Sequence, residues 1–226
     1  MNKKMKIGAI TIGQSPRTDI TKDILSLLPS NMELTEYGAL DDLTAEEITA
    51  AFHPTEDDEI LVSRMRDGSQ AKFTEKFITP LVQRKIHQAE EDGVSAIILF
   101  CTGVFPEFEH QVLFLEPQPL LHSIAANLAG HKKIGLLVPE PDQIRQAQHF
   151  WGKKGISVEA VSASPYLSFE KVVEAAEFFC GKDLAFICTD CMGFTMEMKH
   201  AIQEKTGLPV LLPRTLVVQI LCEMFS

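Results

Sequence analysis

Two of the five cysteines occupy matching positions where thiol chemistry is expected. Cys101 and Cys191 each follow a strongly apolar, β-type run, and each stands two residues before a glycine, Gly103 or Gly193. In open parallel α/β sheets, ligands bind beyond the carboxyl ends of the strands, so both cysteines are predicted at a ligand-binding edge. The glycines would let a substrate approach the backbone closely.

Two thiols that face each other across a cleft can move protons on both faces of one carbon. One thiolate removes a proton next to a carboxylate, and the opposite thiol returns a proton to the other face. This scheme needs no metal and no organic cofactor, provided that backbone amides stabilise the enediolate. We predict Cys101 and Cys191 as this acid/base pair, and a small carboxylate-bearing molecule held on backbone groups of Thr102, Gly103 and Gly193.

Simple packing is the alternative for every cysteine, because free cysteine is among the most buried residue types. Packing is our interpretation of Cys180 and Cys222, which stand at apolar helix positions. The Cys188-x-x-Cys191 spacing allows a redox or zinc site as well. A second such pair and a nearby histidine are both missing, which makes that reading weaker. Asp190, beside Cys191, is a further candidate binding residue.

A second repeated motif predicts an anion-binding role. Pro-Arg-Thr occurs at Arg17 and again at Arg214, both times between a β-type run and an amphipathic segment. An arginine in the first helical turn opposes the helix dipole, so its presence twice suggests an anionic ligand held by the guanidinium fork. Gln14 and Ser15, in the first of these loops, are included among the predicted binding residues. An arginine paired with a neighbouring acid is the alternative.

The elements that position these loops alternate along the chain. Short β-rich runs are followed by helix-period segments, which is typical of α/β proteins with a parallel sheet. Thr44 with Glu47 predicts a capping box, Ser15 and Thr79 each predict a helix N-cap before a proline, and Pro213 predicts the first residue of the last helix. Lys-Ile-Gly opens a strand in each half, which predicts two related lobes.

Composition limits the function. The chain has 226 residues and a formal net charge of −10, so its surface repels nucleic-acid phosphates and anionic lipid. The sequence contains neither a G-x-G-x-x-G nor a Walker A motif, and it shows no signal peptide or apolar run long enough to cross a membrane. We expect a cytoplasmic protein without cofactor or metal that contacts neither nucleic acid nor membrane; a homodimer is left open.

Three segments in order resemble the AroM family. They are the opening KIGAITIGQSPR, the segment LVSRMRDG and the segment TDCMGF, which begin at Lys6, Leu61 and Thr189. The family's name reflects a gene neighbourhood with aromatic amino-acid biosynthesis. AroM proteins are similar to the Asp/Glu/hydantoin racemase superfamily. The resemblance implies two pseudo-symmetric flavodoxin-like lobes with parallel sheets, residues 1–115 with 208–226 and residues 116–207, the C-terminal helix returning to the first lobe.

The racemase pattern carries over onto Cys101 and Cys191 only. Those enzymes typically read Cys-Asn-Thr and Cys-Thr-His, whereas this chain reads Cys-Thr-Gly and Cys-Met-Gly. The resemblance implies a cofactor-independent racemase, isomerase or lyase that acts at the carbon next to a carboxylate. The alternative is a non-catalytic protein that binds a small anion, such as an aromatic-pathway metabolite, on the same fold.

Overall fold

The computed structural model describes residues 4–55 and 58–225. Within these ranges the strands are β1 (Met5–Thr11), β2 (Met32–Gly38), β3 (Ile60–Arg64), β4 (Gln70–Thr74), β5 (Ala96–Phe100), β6 (Leu113–Leu115), β7 (Lys133–Val138), β8 (Val158–Ser162), β9 (Leu184–Thr189) and β10 (Val210–Leu211). The α-helices are α1 (Thr18–Ile24), α2 (Ala45–Ala50), α3 (Glu75–Glu91), α4 (Pro117–Ala129), α5 (Gln143–Lys153), α6 (Phe169–Ala176), α7 (Met196–Thr206) and α8 (Pro213–Phe225).

The strands form two four-stranded parallel sheets, which confirms the predicted α/β class. The first sheet has the order β2-β1-β5-β6 and the second has the order β10-β9-β7-β8. Strands β1 and β5 are buried along nearly their whole length, as expected where helices cover both faces of a parallel sheet. Each sheet has an apolar core on either face.

The last helix crosses from one sheet to the other. Strand β10 pairs with β9 in the second sheet. Helix α8 begins two residues after β10 and packs Val217, Val218 and Leu221 against Ile7 and Ala9 of β1. The chain therefore returns to the first sheet, which ties the two sheets together. Among the described residues, no helix combines the length and the apolar character needed to span a membrane.

The helix N-termini confirm one predicted cap and correct two others. The capping box of Thr44 and Glu47 is confirmed, with both reciprocal hydrogen bonds formed. The prediction that Thr79 caps a helix is wrong, because Thr74 accepts from the Phe77 amide and α3 begins five residues earlier. The prediction that Ser15 caps α1 is also wrong. Its hydroxyl donates to Asp41 instead, and α1 begins at Thr18.

Strands β3 and β4 form an antiparallel hairpin that belongs to the first half of the sequence and contacts helix α5 of the second half. Its turn has Gly68 at a φ of +92°, a conformation that favours glycine. The backbone of Ile60 donates to Gln146 Oε1 at 3.0 Å and accepts from Gln143 Nε2 at 3.1 Å. Lys72 of β4 forms an ion pair with Glu140, which precedes α5. The hairpin is therefore held against α5 by polar contacts at both of its strands.

Candidate functional site

A small cavity lies where the carboxyl ends of β5, β7 and β9 meet. Its volume is about 50 Å³, and strand β3 and helices α4 and α5 complete its walls. One water needs roughly 10–15 Å³ of such space, so the cavity holds on the order of four waters or the reactive end of a small molecule. Its position at the strand ends agrees with the usual placement of ligands in parallel α/β sheets.

Both predicted catalytic cysteines line this cavity. Cys101 follows β5 and is 8% exposed, and Cys191 lies two residues beyond β9 and is 7% exposed. The Gly103 amide donates to Cys101 Sγ at 3.2 Å, and the Gly193 amide donates to Cys191 Sγ at 3.3 Å. The two Cys-x-Gly loops therefore have the same local hydrogen bond and reach one cavity from the two sheets.

The residue between each cysteine and glycine leaves a backbone donor unused. The amides of Thr102 and Met192 have no hydrogen-bond acceptor among the described residues, and both residues line the cavity. Unpartnered amides at a cavity wall can stabilise an oxyanion. The predicted role of Thr102 in holding a carboxylate therefore rests on its backbone N–H. The Gly103 and Gly193 amides already donate to sulfur.

Burial has the largest effect on the pKa of both thiols. It raises the pKa of Cys101, and the hydrogen bond from the Gly103 amide opposes that rise. Burial also raises the pKa of Cys191, against hydrogen bonds from Tyr166 and the Gly193 amide. A thiolate in this cavity consequently depends on the donors around it.

Tyr166, in the loop between β8 and α6, separates Cys191 from a buried arginine. Its hydroxyl lies 3.4 Å from Cys191 Sγ and accepts from Arg17 Nη2 at 3.3 Å. Its ring lies over Gly193 so closely that a Cβ there would be 2.5 Å from it. A side chain at Gly193 is therefore excluded by Tyr166, and this accounts for the glycine.

Arg17 is only 2% exposed and does not line the cavity. Its Nε and Nη2 donate to both carboxylate oxygens of Asp19, at 2.9 and 2.8 Å, and Nη1 donates to Thr11 and Ser63. With the bond to Tyr166, every guanidinium nitrogen is engaged inside the protein. We therefore propose that Arg17 supplies a fixed positive charge behind Tyr166 and does not contact a ligand directly.

The other predicted binding residues of the two Pro-Arg-Thr loops also lie outside the cavity lining. Arg214 is fully buried, donating to the Met192 carbonyl, the Asp19 carbonyl and Asp23 Oδ2. Gln14 donates to two backbone carbonyls after β2, and Ser15 bonds Asp41. We assign these residues to fixing the loops. Arg214 in particular holds the loop that carries Cys191.

Asp190 lines the cavity beside the cysteines and is held by the side chains of Trp151, Thr102 and Gln118. Trp151 Nε1 donates to Oδ2 at 2.9 Å, and the Gln118 amide nitrogen donates to Oδ1 at 3.0 Å when its amide is oriented to satisfy all its neighbours. Burial raises the pKa of Asp190 to about 6, and these hydrogen bonds oppose the rise. Among the described residues that line the cavity, none is Lys, Arg or His, so a charge on Asp190 is unopposed there.

The redox reading of Cys188 and Cys191 loses support. Cys188 packs in the core around Trp151, whereas Cys191 packs in the core on the opposite face of the second sheet. Both are free thiols. Because alternate residues of a strand point to opposite faces, this spacing at the end of β9 directs the two sulfurs apart.

Sequence reasoning missed three side chains of the site. Tyr166 is one of two tyrosines and lies four residues after a strand, in a loop at the carboxyl end of the sheet, which is the signal that could have identified it. Trp151 is fully buried, and its indole N–H donates to Asp190. Gln118 offered no local signal, because its role depends on how α4 docks beside β9.

Comparisons with known proteins agree with this geometry at the level of the fold. Allantoin racemase from Klebsiella pneumoniae superposes with a TM-score of 0.63 at 14% identity, covering 98% of this chain and 87% of that one. Glutamate racemase from Francisella tularensis gives 0.63 at 15%, covering 98% and 81%. Maleate isomerase from Pseudomonas putida gives 0.66 at 10%, covering 98% and 93%. The fold is therefore racemase-like.

A search of curated protein sequences gives no match. The family model described as AroM protein matches residues 7–225, nearly the whole chain. This agrees with the three sequence segments that resemble that family. The chain belongs to the AroM family.

Proposed function

We propose that this protein is a cofactor-independent enzyme of the racemase, isomerase or lyase type. It acts at the carbon next to a carboxylate of a small acid, and Cys101 and Cys191 serve as its acid and base. The observation that carries the proposal is the pair of matching Cys-x-Gly loops that line one cavity from two sheets. The racemase-like fold supports the same reaction class.

In the proposed reaction the substrate carboxylate accepts from the unpartnered amides of Thr102 and Met192. The thiolate of one cysteine takes the proton from the adjacent carbon, and the bonding pair moves into the carbonyl to give an enediolate. Those two amides stabilise the negative oxygens as they form. The opposite thiol then gives its proton to the carbon from the other face.

The test is hydrogen exchange in D₂O. The protein is incubated with a panel of small amino, hydroxy and dicarboxylic acids, and loss of the α-hydrogen signal is followed by NMR. We expect exchange for at least one acid, and a loss of about 10²-fold or more in Cys101→Ser/Cys191→Ser, because general acid–base catalysis contributes at least that much.

Cys180→Ser is the matched control. Cys180 is an exposed free thiol that does not line the cavity, so its removal should leave exchange unchanged. Absence of exchange across the panel contradicts the enzyme proposal. If an acid then raises the melting temperature equally in wild type and in the double cysteine variant, the chain is a binding protein, since a ligand that binds only the folded state stabilises it.

A further inference from the structure

The two cysteines have unequal hydrogen-bond environments. Among the residues that the structure describes, the sulfur of Cys101 lies within hydrogen-bond distance of one donor, the Gly103 amide. The sulfur of Cys191 lies within reach of two, the Gly193 amide and the Tyr166 hydroxyl. Hydrogen bonds donated to the charged form of an acid stabilise that form. The geometry therefore separates two thiols that look equivalent in sequence.

The contact with Arg17 makes the Tyr166 hydroxyl available as a donor to Cys191. A guanidinium N–H can only donate, so the phenolic oxygen accepts from Arg17 Nη2 at 3.3 Å. The phenolic hydrogen is then free to point to the sulfur of Cys191, 3.4 Å away. Burial raises the pKa of Tyr166 well above its ordinary value, so the phenol retains this hydrogen at neutral pH.

We propose that Cys191 is the more acidic of the two thiols and therefore the first to ionise, with Tyr166 and Arg17 as the positioning residues that set this asymmetry. The catalytic meaning of the assignment rests on the proposed function. The assignment itself concerns the free protein. It makes Cys191 the proton acceptor and Cys101 the proton donor in the first half of a turnover.

The other charged and titratable groups near Cys191 act on both thiols in the same direction, so they do not explain a difference in acidity between Cys191 and Cys101. Arg17, on the loop before α1, lowers the pKa of both thiols. Asp190, at the end of β9, raises the pKa of both. Cys101, at the end of β5, faces the same cavity. Each sulfur accepts from its own glycine amide, and among the described residues the Tyr166 hydroxyl, from the loop after β8, adds a contact at Cys191 that Cys101 lacks.

The proton balance of one turnover then has a fixed order. The carbon–hydrogen bond breaks as the Cys191 S–H bond forms, and the electron pair moves onto the substrate. The Cys101 S–H bond breaks as a new carbon–hydrogen bond forms on the opposite face. Cys101 is left as thiolate and Cys191 as thiol, so proton exchange with solvent must regenerate the Cys191 thiolate before the next turnover in the same direction.

The test is the pH dependence of alkylation of each cysteine. Iodoacetamide modification of Cys101 and Cys191 is followed by peptide mass spectrometry from pH 5 to 11. Access affects the rate but not the midpoint, so the midpoint reports the thiol titration. We expect the Cys191 midpoint to lie below the Cys101 midpoint in the wild-type protein. The reverse order, or equal midpoints, overturns the assignment.

Tyr166→Phe keeps the ring over Gly193 and removes the hydroxyl. We expect the Cys191 midpoint to rise by about one to two pH units, since a hydrogen bond to a charged group contributes about 1.5–3 kcal/mol. The Cys101 midpoint should move much less. Equal shifts of both midpoints, or no shift at Cys191, overturn the role of Tyr166. The wild-type midpoints still decide the assignment if this variant does not fold.

Exchange kinetics of the single variants separate this inference from the proposed function. For an acid that exchanges in D₂O, Cys101→Ser should retain exchange of the hydrogen that faces Cys191 while inversion at the carbon is lost. Cys191→Ser should lose both. The opposite pattern overturns the assignment but leaves a two-cysteine enzyme intact. Absence of exchange in the wild type contradicts only the proposed function, because the alkylation midpoints need no substrate.

Discussion

At the scale of single residues, the site depends on side chains that bond one another behind the cavity wall. Asp190 is held by Trp151 and Gln118, and the Gln118 amide oxygen accepts from His122 Nε2 at 3.1 Å. The His122 ring meets the Trp151 indole edge-on, with ring centroids 4.6 Å apart. Each member therefore orients the next, and the carboxyl group of Asp190 is kept at the cavity by residues of α4 and α5.

His122 makes this network sensitive to acid. Burial lowers the pKa of His122 from its ordinary value to about 4, so the unfolded chain takes up a proton at a higher pH than the folded protein does. The His122 contribution to stability is then fully present above about pH 6.5 and is lost as the pH falls toward 4. Between pH 7.5 and 4.5 this loss amounts to about 2 kcal/mol.

The comparison of wild type with His122→Gln isolates this contribution, since Asp190 titrates in the same range with the opposite sign. Its raised pKa favours the folded state as the pH falls. We expect the stability advantage of wild type over His122→Gln, measured by urea unfolding, to shrink by about 2 kcal/mol between pH 7.5 and 4.5. A difference that stays constant over this range contradicts the prediction.

The residues that the sequence identified best are those whose role is local. Cys101 and Cys191 could be paired because each stands at the end of an apolar run before a nearby glycine, and both line the cavity. For the two arginines the sequence left a ligand-binding role and an internal ion pair both open, because their spacing gives no information about partners. Arg17 meets Asp19 two residues away, and Arg214 meets Asp23 from the far end of the chain. A guanidinium aimed at a ligand and one neutralised inside the protein have the same local sequence.

At the scale of elements, the hairpin is the part of the site that the sequence described least well. Strands β3 and β4 are each only five residues long and are joined by residues 65–69. Short antiparallel strands carry weaker patterns than buried parallel strands, because only one of their faces is apolar. The hairpin supplies Leu61, Val62 and Ser63 to the cavity wall, so this element bears directly on access to the cysteines.

Polar contacts with α5 hold the hairpin, and these can be weakened without touching a core. Gln146→Ala removes the acceptor for the Ile60 amide. A net hydrogen bond contributes roughly 0.5–1.5 kcal/mol, so amide hydrogen exchange in β3 and β4 should become about 3- to 10-fold faster. Exchange in the buried strand β5 should not change. Mass spectrometry of the corresponding peptides makes this measurement.

Gln148→Ala is the matched control for the hairpin experiment. Gln148 lies on the same helix but is exposed, so its truncation should leave exchange in the hairpin at the wild-type rate. If both variants accelerate hairpin exchange equally, helix α5 itself has been loosened and the contact with Ile60 is not the cause. If neither does, other contacts of the hairpin, such as the Lys72–Glu140 ion pair, are sufficient to hold it.

At the scale of the whole molecule, the cavity between the two sheets holds an acidic side chain, and the protein around it is strongly negative. The formal charge is −10, and the described cavity lining contains Asp190 but no basic side chain. Arg17 offsets this field from behind Tyr166, where a ligand does not reach it. The potential at the cavity therefore slows the approach of a small anion, although the free amides of Thr102 and Met192 can bind its oxygens once it has entered. Salt should weaken the repulsion because exposed charges are screened over about 10 Å at 0.1 M ionic strength.

Two alkylating reagents of nearly equal size measure this field at the reactive sulfur. Iodoacetate carries a negative charge and iodoacetamide is neutral, so the ratio of their rates at Cys191 should rise about 2- to 5-fold between 0.01 and 0.3 M NaCl as repulsion is screened. The same ratio at the exposed Cys180 should change less, and a free thiol in solution corrects for intrinsic reactivity. Asp190→Asn should raise the low-salt ratio at Cys191 toward its high-salt value. A ratio that falls with salt means instead that the cavity attracts anions, through the Arg17 charge and the free amides of Thr102 and Met192.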